Sequence, residues 1–313
     1  MEFDKAIEKD RNNPSLYNGR GYCYDYLGEY QKAVEDYTTA IKLNPDVNAY
    51  YVNRGVSYLS LGEYDKAIAD FNTAVINNPK VADYYSFRSE AYTEKKNYKK
   101  ALSDLNKALE LSPDNPDILN SIGKVYLRME NTDKALLFCS KALKFDSMNA
   151  DYYSDRALVY YIMENYKKAL ADLNCAIKIE PDNALNYVHR GNVYEEMEKY
   201  KLALDNYNKA ISLKPDNAVF YYYRGAAFNW LKSYKSALAD CNKAIDLEND
   251  EPDYYNERGY AYLGLNQYDN ALADFKKALE MDPDNYKYKL GPAIVEKKRK
   301  LNEKNVSGVK KER

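Results

Sequence analysis

Residues 50–79, "YYVNRGVSYLSLGEYDKAIADFNTAVINNP", decide the fold of this chain. Tyr51, Gly55 and Tyr58 recur at helical spacing, so they share one face of a first helix. The "LGEY" segment predicts a turn whose glycine ends that helix. Pro79 ends a second helix, because proline lacks an amide donor and restricts the residue before it. The stretch therefore predicts two short amphipathic helices that pack antiparallel.

The same pattern returns every 34 residues along most of the chain. One alanine column of the second helix consists of Ala33, Ala67, Ala101, Ala135, Ala169, Ala203, Ala237 and Ala271. The register holds without insertion through eight copies, which span residues 14–47, 48–81, 82–115, 116–149, 150–183, 184–217, 218–251 and 252–285. Since one helix pair cannot bury its apolar face alone, the copies are predicted to stack into a solenoid.

The repeat resembles the tetratricopeptide repeat family. Counted from the first residue of each copy, the family has an aromatic residue at position 4, a small one at 8, Tyr at 11, Ala at 20, an aromatic at 24, Ala at 27 and Pro at 32. The second copy matches at Tyr51, Gly55, Tyr58, Ala67, Phe71, Ala74 and Pro79. The resemblance implies an all-α, right-handed superhelical solenoid of eight tandem helix-turn-helix repeats with terminal capping helices.

Segments at both ends depart from the complete repeat. Residues 1–13 match only a second helix, which we interpret as a half repeat that caps the stack or as the start of a fragment. The segment "GPAIVEKKRKLNEK" predicts one more helix with Pro292 in its first turn. We therefore expect a capping helix over residues 286–304 and a basic tail over residues 305–313.

Composition narrows the class of protein. A chain of 313 residues, 30% of them charged and with a mean hydropathy of -0.74, is polar for one large core. Its 35 tyrosines still allow packing, because a tyrosine can be buried while its hydroxyl stays wet. The net charge of -2 gives no case for nucleic acid, and no apolar run is long enough for a membrane span.

The residues that usually carry catalysis or bind metals are sparse. The spacings of Cys23, Cys139, Cys175 and Cys241 match no zinc pattern, so we interpret them as free thiols in a reducing, cytoplasmic compartment. The single histidine, His189, is interpreted as a polar surface residue rather than as part of a catalytic triad. We expect no cofactor and no bound metal.

One residue breaks the core-facing stripe, Arg54, which lies between Tyr51 and Tyr58. Position 7 holds Arg20, Arg54, Arg88, Ile122, Arg156, Arg190, Arg224 and Arg258, and position 23 holds Asp36, Asp70, Asp104, Phe138, Asp172, Asn206, Asp240 and Asp274. The two columns change together in the fourth copy. Because an unpaired buried charge is costly, we predict an Arg–Asp pair in six copies and an apolar pair in the fourth. The alternative is an exposed arginine beside an unrelated acid.

The family resemblance implies a concave peptide-binding side lined by first-helix positions 2, 5, 6, 9, 12 and 13, here called the groove positions. Two of these residues, Lys124 and Arg128, are basic. Eleven are acidic: Asp25, Asp83, Glu90, Glu94, Asp117, Asp151, Asp155, Glu195, Glu196, Asp253 and Glu257. A wall of one charge attracts ligands of the opposite charge. The alternative is a solvated face without a partner.

Aromatic residues share the groove positions, and such residues dominate interface hot spots. Trp230 is predicted to be exposed for a partner, with packing between repeats as the alternative. The predicted partner-binding residues are Tyr22, Asp25, Tyr26, Phe87, Glu90, Glu94, Tyr161, Asn192, Glu195, Glu196, Tyr222, Tyr223, Asn229, Trp230, Asp253, Glu257 and Tyr260.

These patterns predict a non-catalytic protein–protein interaction scaffold that binds a basic peptide segment in an acidic, aromatic groove. One alternative is the substrate-recruiting region of a larger enzyme whose catalytic domain lies outside this chain. RNA binding is a third class, which the acidic groove opposes because phosphate contacts need Lys and Arg. The basic residues from residue 286 onward are themselves a ligand of the predicted kind, so self-association is a further expectation.

Overall fold

The computed structural model of the chain describes the backbone of residues 2–309 and the side chains of residues 2–301. This part is all-α, with 18 helices and no strand. The helices are α1 (Glu2–Lys9), α2 (Pro14–Tyr26), α3 (Tyr30–Leu43), α4 (Asn48–Ser60), α5 (Tyr64–Asn77), α6 (Ala82–Glu94), α7 (Tyr98–Leu111), α8 (Pro116–Arg128), α9 (Thr132–Phe145), α10 (Ala150–Ile162), α11 (Tyr166–Ile179), α12 (Ala184–Glu196), α13 (Tyr200–Leu213), α14 (Ala218–Trp230), α15 (Tyr234–Leu247), α16 (Pro252–Gly264), α17 (Tyr268–Met281) and α18 (Tyr286–Val309).

The helices form two compact units, Met1–Val159 and Tyr160–Arg313, called the N-terminal unit and the C-terminal unit. Within each unit, a first helix packs against the second helix of its own copy, and second helices pack against the next first helix. First helices also touch one another in sequence, α2 to α8 in the N-terminal unit and α12 to α18 in the C-terminal unit. The groove positions of successive copies therefore lie side by side within each unit.

The turn inside each copy needs one residue in the left-handed region. Gly28 and Gly62 supply it in the first two copies, with φ of 75° and 72°. The remaining copies place non-glycine residues there, at φ of 57° to 61°: Lys96, Glu130, Glu164, Glu198, Lys232 and Asn266. These side chains accept a modest steric cost for a sharp reversal between the two helices.

Small residues set the spacing between paired helices. The position-20 and position-27 alanines of all eight copies are fully buried. A Cβ added at Gly55 would lie 2.6 Å from the Phe71 ring, so only glycine fits opposite that aromatic. Pairs of helices thus approach closely enough to bury large residues such as Phe71 between them.

The helix at the C-terminal end, α18, differs from its prediction in two respects. It begins at Tyr286, so Pro292 lies inside the helix rather than in its first turn. Tyr288, which is buried and donates a hydrogen bond to Asp253 at 2.8 Å, anchors the first turn of the helix, which begins at the expected residue. The helix runs to Val309, beyond the predicted end at residue 304. The last residues of the predicted basic tail, 310–313, lie outside the described residues.

The arginines at position 7 form the predicted pairs with aspartates of the second helix. Nε and Nη2 of Arg54 donate to the two carboxylate oxygens of Asp70, at 2.8 and 2.7 Å. The Asp70 side chain is only 7% exposed, so the pair is largely removed from water. The same two-point geometry joins Arg20 to Asp36, Arg88 to Asp104, Arg224 to Asp240 and Arg258 to Asp274.

The copies without an aspartate at position 23 behave as their sequences predict. In the fourth copy, Phe138 packs against the core cluster that contains Ile122. In the sixth copy, Arg190 donates to the Asn206 side chain at 2.8 Å. Five of the six predicted Arg–Asp pairs are confirmed, and the pair of Arg156 with Asp172 stays a prediction.

Each of these arginines also bonds the preceding copy, which the sequence analysis missed. Nη1 of Arg54 donates to the Thr38 hydroxyl at 3.0 Å, and Nη1 of Arg88 donates to the Asn72 amide oxygen at 2.7 Å. The same bond joins Arg190 to Asn174, Arg224 to Asn208 and Arg258 to Asn242, while Arg20 reaches Asp4 of α1. One guanidinium therefore fixes both the fold of its own copy and the stacking on its neighbour.

Candidate functional site

In the first copy, the predicted site residues separate into two kinds. Tyr22 and Tyr26 on α2 are 66% and 88% exposed. Asp25 is instead engaged within the chain, because its carboxylate accepts hydrogen bonds from the Tyr37 hydroxyl and the Ser57 hydroxyl, both at 2.7 Å. Asp25 thus links α2 to α3 and to the next first helix, α4.

In the third copy, Phe87, Glu90 and Glu94 on α6 line two neighbouring cavities of about 350 and 320 Å³. Phe87 stacks on Phe71 of the preceding copy, with ring centroids 5.8 Å apart. Burial raises the pKa of Glu90, while the positive charge of Lys124 opposes that rise. The site residues of this copy are therefore brought together.

Cations of the fourth copy face the acids of the N-terminal unit. Arg128 lies 3.5 Å from Glu94 across the larger cavity, which Lys124 and Arg128 also line. Lys124 lies 4.0 Å from Asp155. Asp155 also accepts from the Asn120 amide at 2.6 Å. Glu94 and Asp155 therefore each have a cation of the fourth copy nearby within the unit.

In the C-terminal unit, a network of neutral donors holds the acids of α12. The Tyr207 hydroxyl lies 2.8 Å from both Asn192 Oδ1 and Glu195 Oε2. The Tyr161 hydroxyl donates to Glu196 at 3.2 Å. Burial raises the pKa of Glu195, and the bond from Tyr207 opposes that rise. These contacts orient the carboxylates without neutralising them.

Aromatic rings continue along the same face across three copies. Tyr207 stacks on Tyr223 at 5.8 Å between centroids. Tyr222 contacts Tyr223 at 5.2 Å and Tyr254 of the next copy at 5.5 Å. Trp230 stacks on Tyr200 at 5.9 Å but stays 64% exposed. The predicted exposure of Trp230 is confirmed, and its packing uses only one face of the indole.

The last predicted site residues meet at a cavity of about 410 Å³ between α14, α16 and α18, here called the Trp230 cavity. Its lining is Asn229, Trp230, Tyr234, Glu257, Tyr260, Leu263, Gly264 and Lys298. The Asn229 amide donates to the Glu257 backbone oxygen at 2.9 Å and to Glu257 Oε2 at 3.1 Å. Burial raises the pKa of Glu257, against the effects of the Asn229 bond and of Lys287. Tyr260 packs edge-on against Phe275 at 5.0 Å.

Asp253 differs from its predicted role as a ligand for a partner's cations. Its Oδ1 accepts from Lys287 Nζ at 2.6 Å and from the Tyr288 hydroxyl at 2.8 Å, both on α18. From the sequence, Asp253 is expected to be free, because the segment of α18 is predicted only as a cap. Lys287, however, occupies position 2 of a continued repeat register, which is a groove position.

Tyr207 was missed because the family pattern asks only for an aromatic residue at position 24. Its hydroxyl bonds Glu195, at position 12, and Tyr37 bonds Asp25 in the same way. Position 12 is acidic in only these two copies, and they are also the only two with tyrosine at position 24. This pairing of two columns was available in the sequence.

Among the described side chains, Glu195, Glu196 and Glu257 form no ion pair. The one cation bonded to a groove-position acid of the C-terminal unit, within the described residues, is Lys287 on Asp253. Three carboxylates near partly exposed aromatic rings therefore have no ionic partner within the described residues. Such a surface suits a cationic, partly apolar ligand.

Three further findings on the described residues concern metal ligands, membrane-spanning helices and thiols. They contain no group of His, Cys, Asp and Glu side chains that could hold a metal ion. Nor does any helix among them have the length and apolar character needed to cross a membrane. All four cysteines are free, and burial raises the pKa of Cys139 to about 12.

Comparison with family models identifies the repeat. Models described as tetratricopeptide repeat or TPR repeat match residues 14–47, 49–81, 90–130, 116–147, 150–183, 191–229 and 252–285. The chain belongs to the tetratricopeptide repeat family. Proteins with these repeats generally act as protein–protein interaction scaffolds. No curated protein matches the sequence.

Solved structures of tetratricopeptide repeat proteins share the fold. The APC/C hetero-tetramer Cut9-Hcn1 aligns with a TM-score of 0.67 at 16% identity, over 92% of this chain and 56% of that one. Yeast Tom70 aligns with a TM-score of 0.55 at 16% identity, over 95% and 84% of the two chains. A tetratricopeptide repeat protein from Parabacteroides merdae aligns with a TM-score of 0.53 at 20% identity, over 90% and 98%.

Proposed function

We propose that this tetratricopeptide repeat chain is a non-catalytic scaffold that binds a basic peptide segment across the groove positions of the C-terminal unit. The observation that carries the proposal is the set of three acids, Glu195, Glu196 and Glu257, that have no cationic partner among the described residues. Charges held near apolar surface are costly unless something compensates them. A cationic ligand would supply that compensation.

The aromatic rings of the same face would supply most of the affinity. Trp230 is largely exposed, and Tyr222 and Tyr223 lie half-buried on the same helix, α14. That helix contacts α12, which carries Glu195 and Glu196. Interface energy concentrates in such aromatic residues, whereas charges mainly set register and association rate. The ligand is therefore a segment with both lysines and apolar side chains.

Two of the four cysteines are buried and several position-7 arginines are bonded within the fold, which supports a non-catalytic role. Arg54, for example, is bonded on both sides, to Asp70 of its own copy and to Thr38 of the preceding one. Burial raises the pKa of Cys139 and of Cys241, which removes the thiolate that a nucleophilic cysteine needs.

The N-terminal unit is assigned a smaller part in binding. Glu94 faces Arg128, and Asp25 is held by Tyr37 and Ser57. Tyr22 and Tyr26 remain exposed at its first copy and would extend the contact for a longer partner.

A peptide array with matched lysine-rich, arginine-rich and acidic peptides tests the proposal. We expect the wild type to bind lysine-rich peptides that also contain apolar residues, and to weaken between low and physiological salt. Trp230→Ala and Glu195→Lys/Glu196→Lys should each reduce that binding at least tenfold. The matched control is Asp205→Lys/Asp216→Lys, which makes the same charge change at exposed sites away from the groove positions.

Two outcomes would overturn the proposal. One is a preference for acidic peptides, which would reverse the sign of the binding face. The other is binding that neither the groove variants nor salt alters, which would move the partner to another surface.

A further inference from the structure

We propose that the Trp230 cavity is a pocket for a single lysine side chain of the bound peptide. The inference rests on the proposed function in that the lysine belongs to the peptide. The cavity has aromatic walls, one carboxylate and a volume of about 410 Å³. That volume is ample for the four-carbon stem and ammonium of one lysine.

The walls suit a cation on an apolar stem. Trp230, Tyr234 and Tyr260 contribute rings to the lining, and Leu263 adds apolar surface. An ammonium near the faces of such rings is attracted by their quadrupoles, most strongly for tryptophan. The methylene stem of lysine packs on the same rings, as amphipathic side chains do at apolar surfaces.

The contact with Asn229 leaves Glu257 better suited to bind the ammonium of lysine than the planar guanidinium of arginine. Both bonds of the Asn229 amide nitrogen go to acceptors of Glu257, which fixes the orientation of that amide. Glu257 Oε2 is thereby partly occupied, and the other oxygen is left for a ligand. A guanidinium binds best to both oxygens of a carboxylate, whereas an ammonium needs only one. The geometry therefore favours lysine over arginine.

Lys298 on α18 lines the rim of the cavity and is the competing charge. Its side chain is exposed and forms no ion pair or hydrogen bond within the described residues. Lys298 occupies position 13 of the repeat register continued from Tyr286, and Trp230 occupies position 13 of the seventh copy. The two residues line the same cavity from α18 and α14. Lys298 raises the local potential, and its removal should tighten binding of an external lysine.

The chain's single tryptophan allows a test that needs no peptide. The probe is N-acetyl-lysine methylamide, titrated while the Trp230 fluorescence and its indole N–H signal are followed. We expect saturable binding, at least tenfold weaker for the norleucine analogue, which lacks the charge, and about threefold weaker for the arginine analogue.

Variants connect this signal to the pocket. Glu257→Gln should abolish the preference for lysine over norleucine, while Asp205→Asn, at an exposed site away from the groove positions and the cavity lining, should leave it intact. Lys298→Ala should tighten lysine binding about threefold, and Lys297→Ala should not. Equal response to lysine and norleucine in the wild type would overturn the pocket, as would an unchanged lysine preference in Glu257→Gln. Either result leaves the peptide array to decide the groove independently.

Discussion

The two units use one repeat pattern and treat the charges at their groove positions differently. In the N-terminal unit, Arg128 faces Glu94 and Lys124 faces Asp155. In the C-terminal unit, Glu195 and Glu257 are held by neutral donors, and burial raises the pKa of both. Repeat position alone therefore does not define a binding site. In the proposed function, the peptide binds where Glu195, Glu196 and Glu257 have no cationic partner within the described residues.

The largest expected effect is on the free energy of unfolding, and both units should show it. It tests whether the difference in charge pairing between the units is confined to the groove positions. Arg54→Ala in the N-terminal unit and Arg224→Ala in the C-terminal unit each leave a buried aspartate unpaired. We expect each to lower the local free energy of unfolding by about 3 kcal/mol. Hydrogen exchange resolved by peptide measures this in each unit separately.

A milder variant controls for the size of the side chain. Asp240→Asn imitates the natural Arg190–Asn206 pair of the sixth copy, so it should lower the local free energy of unfolding by only about 1 kcal/mol. If Arg224→Ala costs no more than Asp240→Asn, the arginines do not hold the copies as described.

The second prediction concerns variants that remove the two groove-position cations of the N-terminal unit, Lys124 and Arg128. Lys124→Ala/Arg128→Ala would uncover Glu90, Glu94 and Asp155 beside Phe87. Since both cations are more than half exposed, their loss should hardly alter stability. We expect a second lysine-rich peptide to bind about tenfold more tightly than it does to the unaltered unit, and calorimetry to count two sites instead of one. The control Lys80→Ala/Lys99→Ala should still bind one peptide.

The third prediction uses pH. Peptide lysines stay charged as the pH falls from neutral, while Glu195 and Glu257, whose pKa values are raised by burial, take up protons at a higher pH than an ordinary glutamate does. The affinity of the C-terminal unit for a lysine-rich peptide should therefore fall about three- to fivefold. Fluorescence anisotropy of a labelled peptide measures it. Glu195→Gln/Glu257→Gln should remove this dependence, and a dependence that persists would assign the titration to other groups.

Stability should respond in the opposite direction to binding. A carboxyl whose pKa is higher in the folded protein holds its proton more tightly there than in the unfolded chain. Its unfavourable contribution is full above the folded pKa and disappears as pH falls towards the unfolded value. The C-terminal unit should thus gain stability from these two groups as its peptide affinity declines.

The smallest effect compares one glutamine substitution in each unit. Glu257→Gln removes a desolvated charge and should raise the local free energy of unfolding by about 1 kcal/mol. Glu94→Gln breaks a surface pair with Arg128 and should lower it by a few tenths of a kcal/mol. Denaturant unfolding followed by Trp230 fluorescence reports on the first, and hydrogen exchange on the second. Changes of the same sign would contradict the proposed division between the units.

The fold was predictable because the period is unbroken, and the Arg–Asp pairs because two columns change together in the fourth copy. The bond from each arginine to the preceding copy was not predicted, although Thr38 and Asn72 occupy one polar column. A contact between copies depends on how they stack, which the pattern within a copy does not specify. Asp253 was misjudged for the same reason, since Lys287 lies in a helix beyond the last complete repeat.

The candidate site was only partly predictable. The groove positions identified residues that line three cavities, because first helices lie side by side. Compensation of charge was not predictable, since it depends on which side chains reach one another across copies. Arg128 and Glu94 illustrate this, being 34 residues apart in sequence and at the same repeat position.

Because the position-7 arginine bonds both its own copy and the preceding one, whole copies can be exchanged or removed without loss of this contact. If residues 218–251 were excised, Arg258 would meet Asn208, which is the same residue type as its present partner, Asn242. Excision of residues 116–149 would bring Arg156 to Asn106. Gain or loss of a 34-residue unit, wherever its two breakpoints fall in phase, therefore keeps a donor opposite an acceptor. The same hydrogen bond can form between different pairs of neighbouring copies. Such an array can therefore change length by recombination while its surface residues diverge from copy to copy.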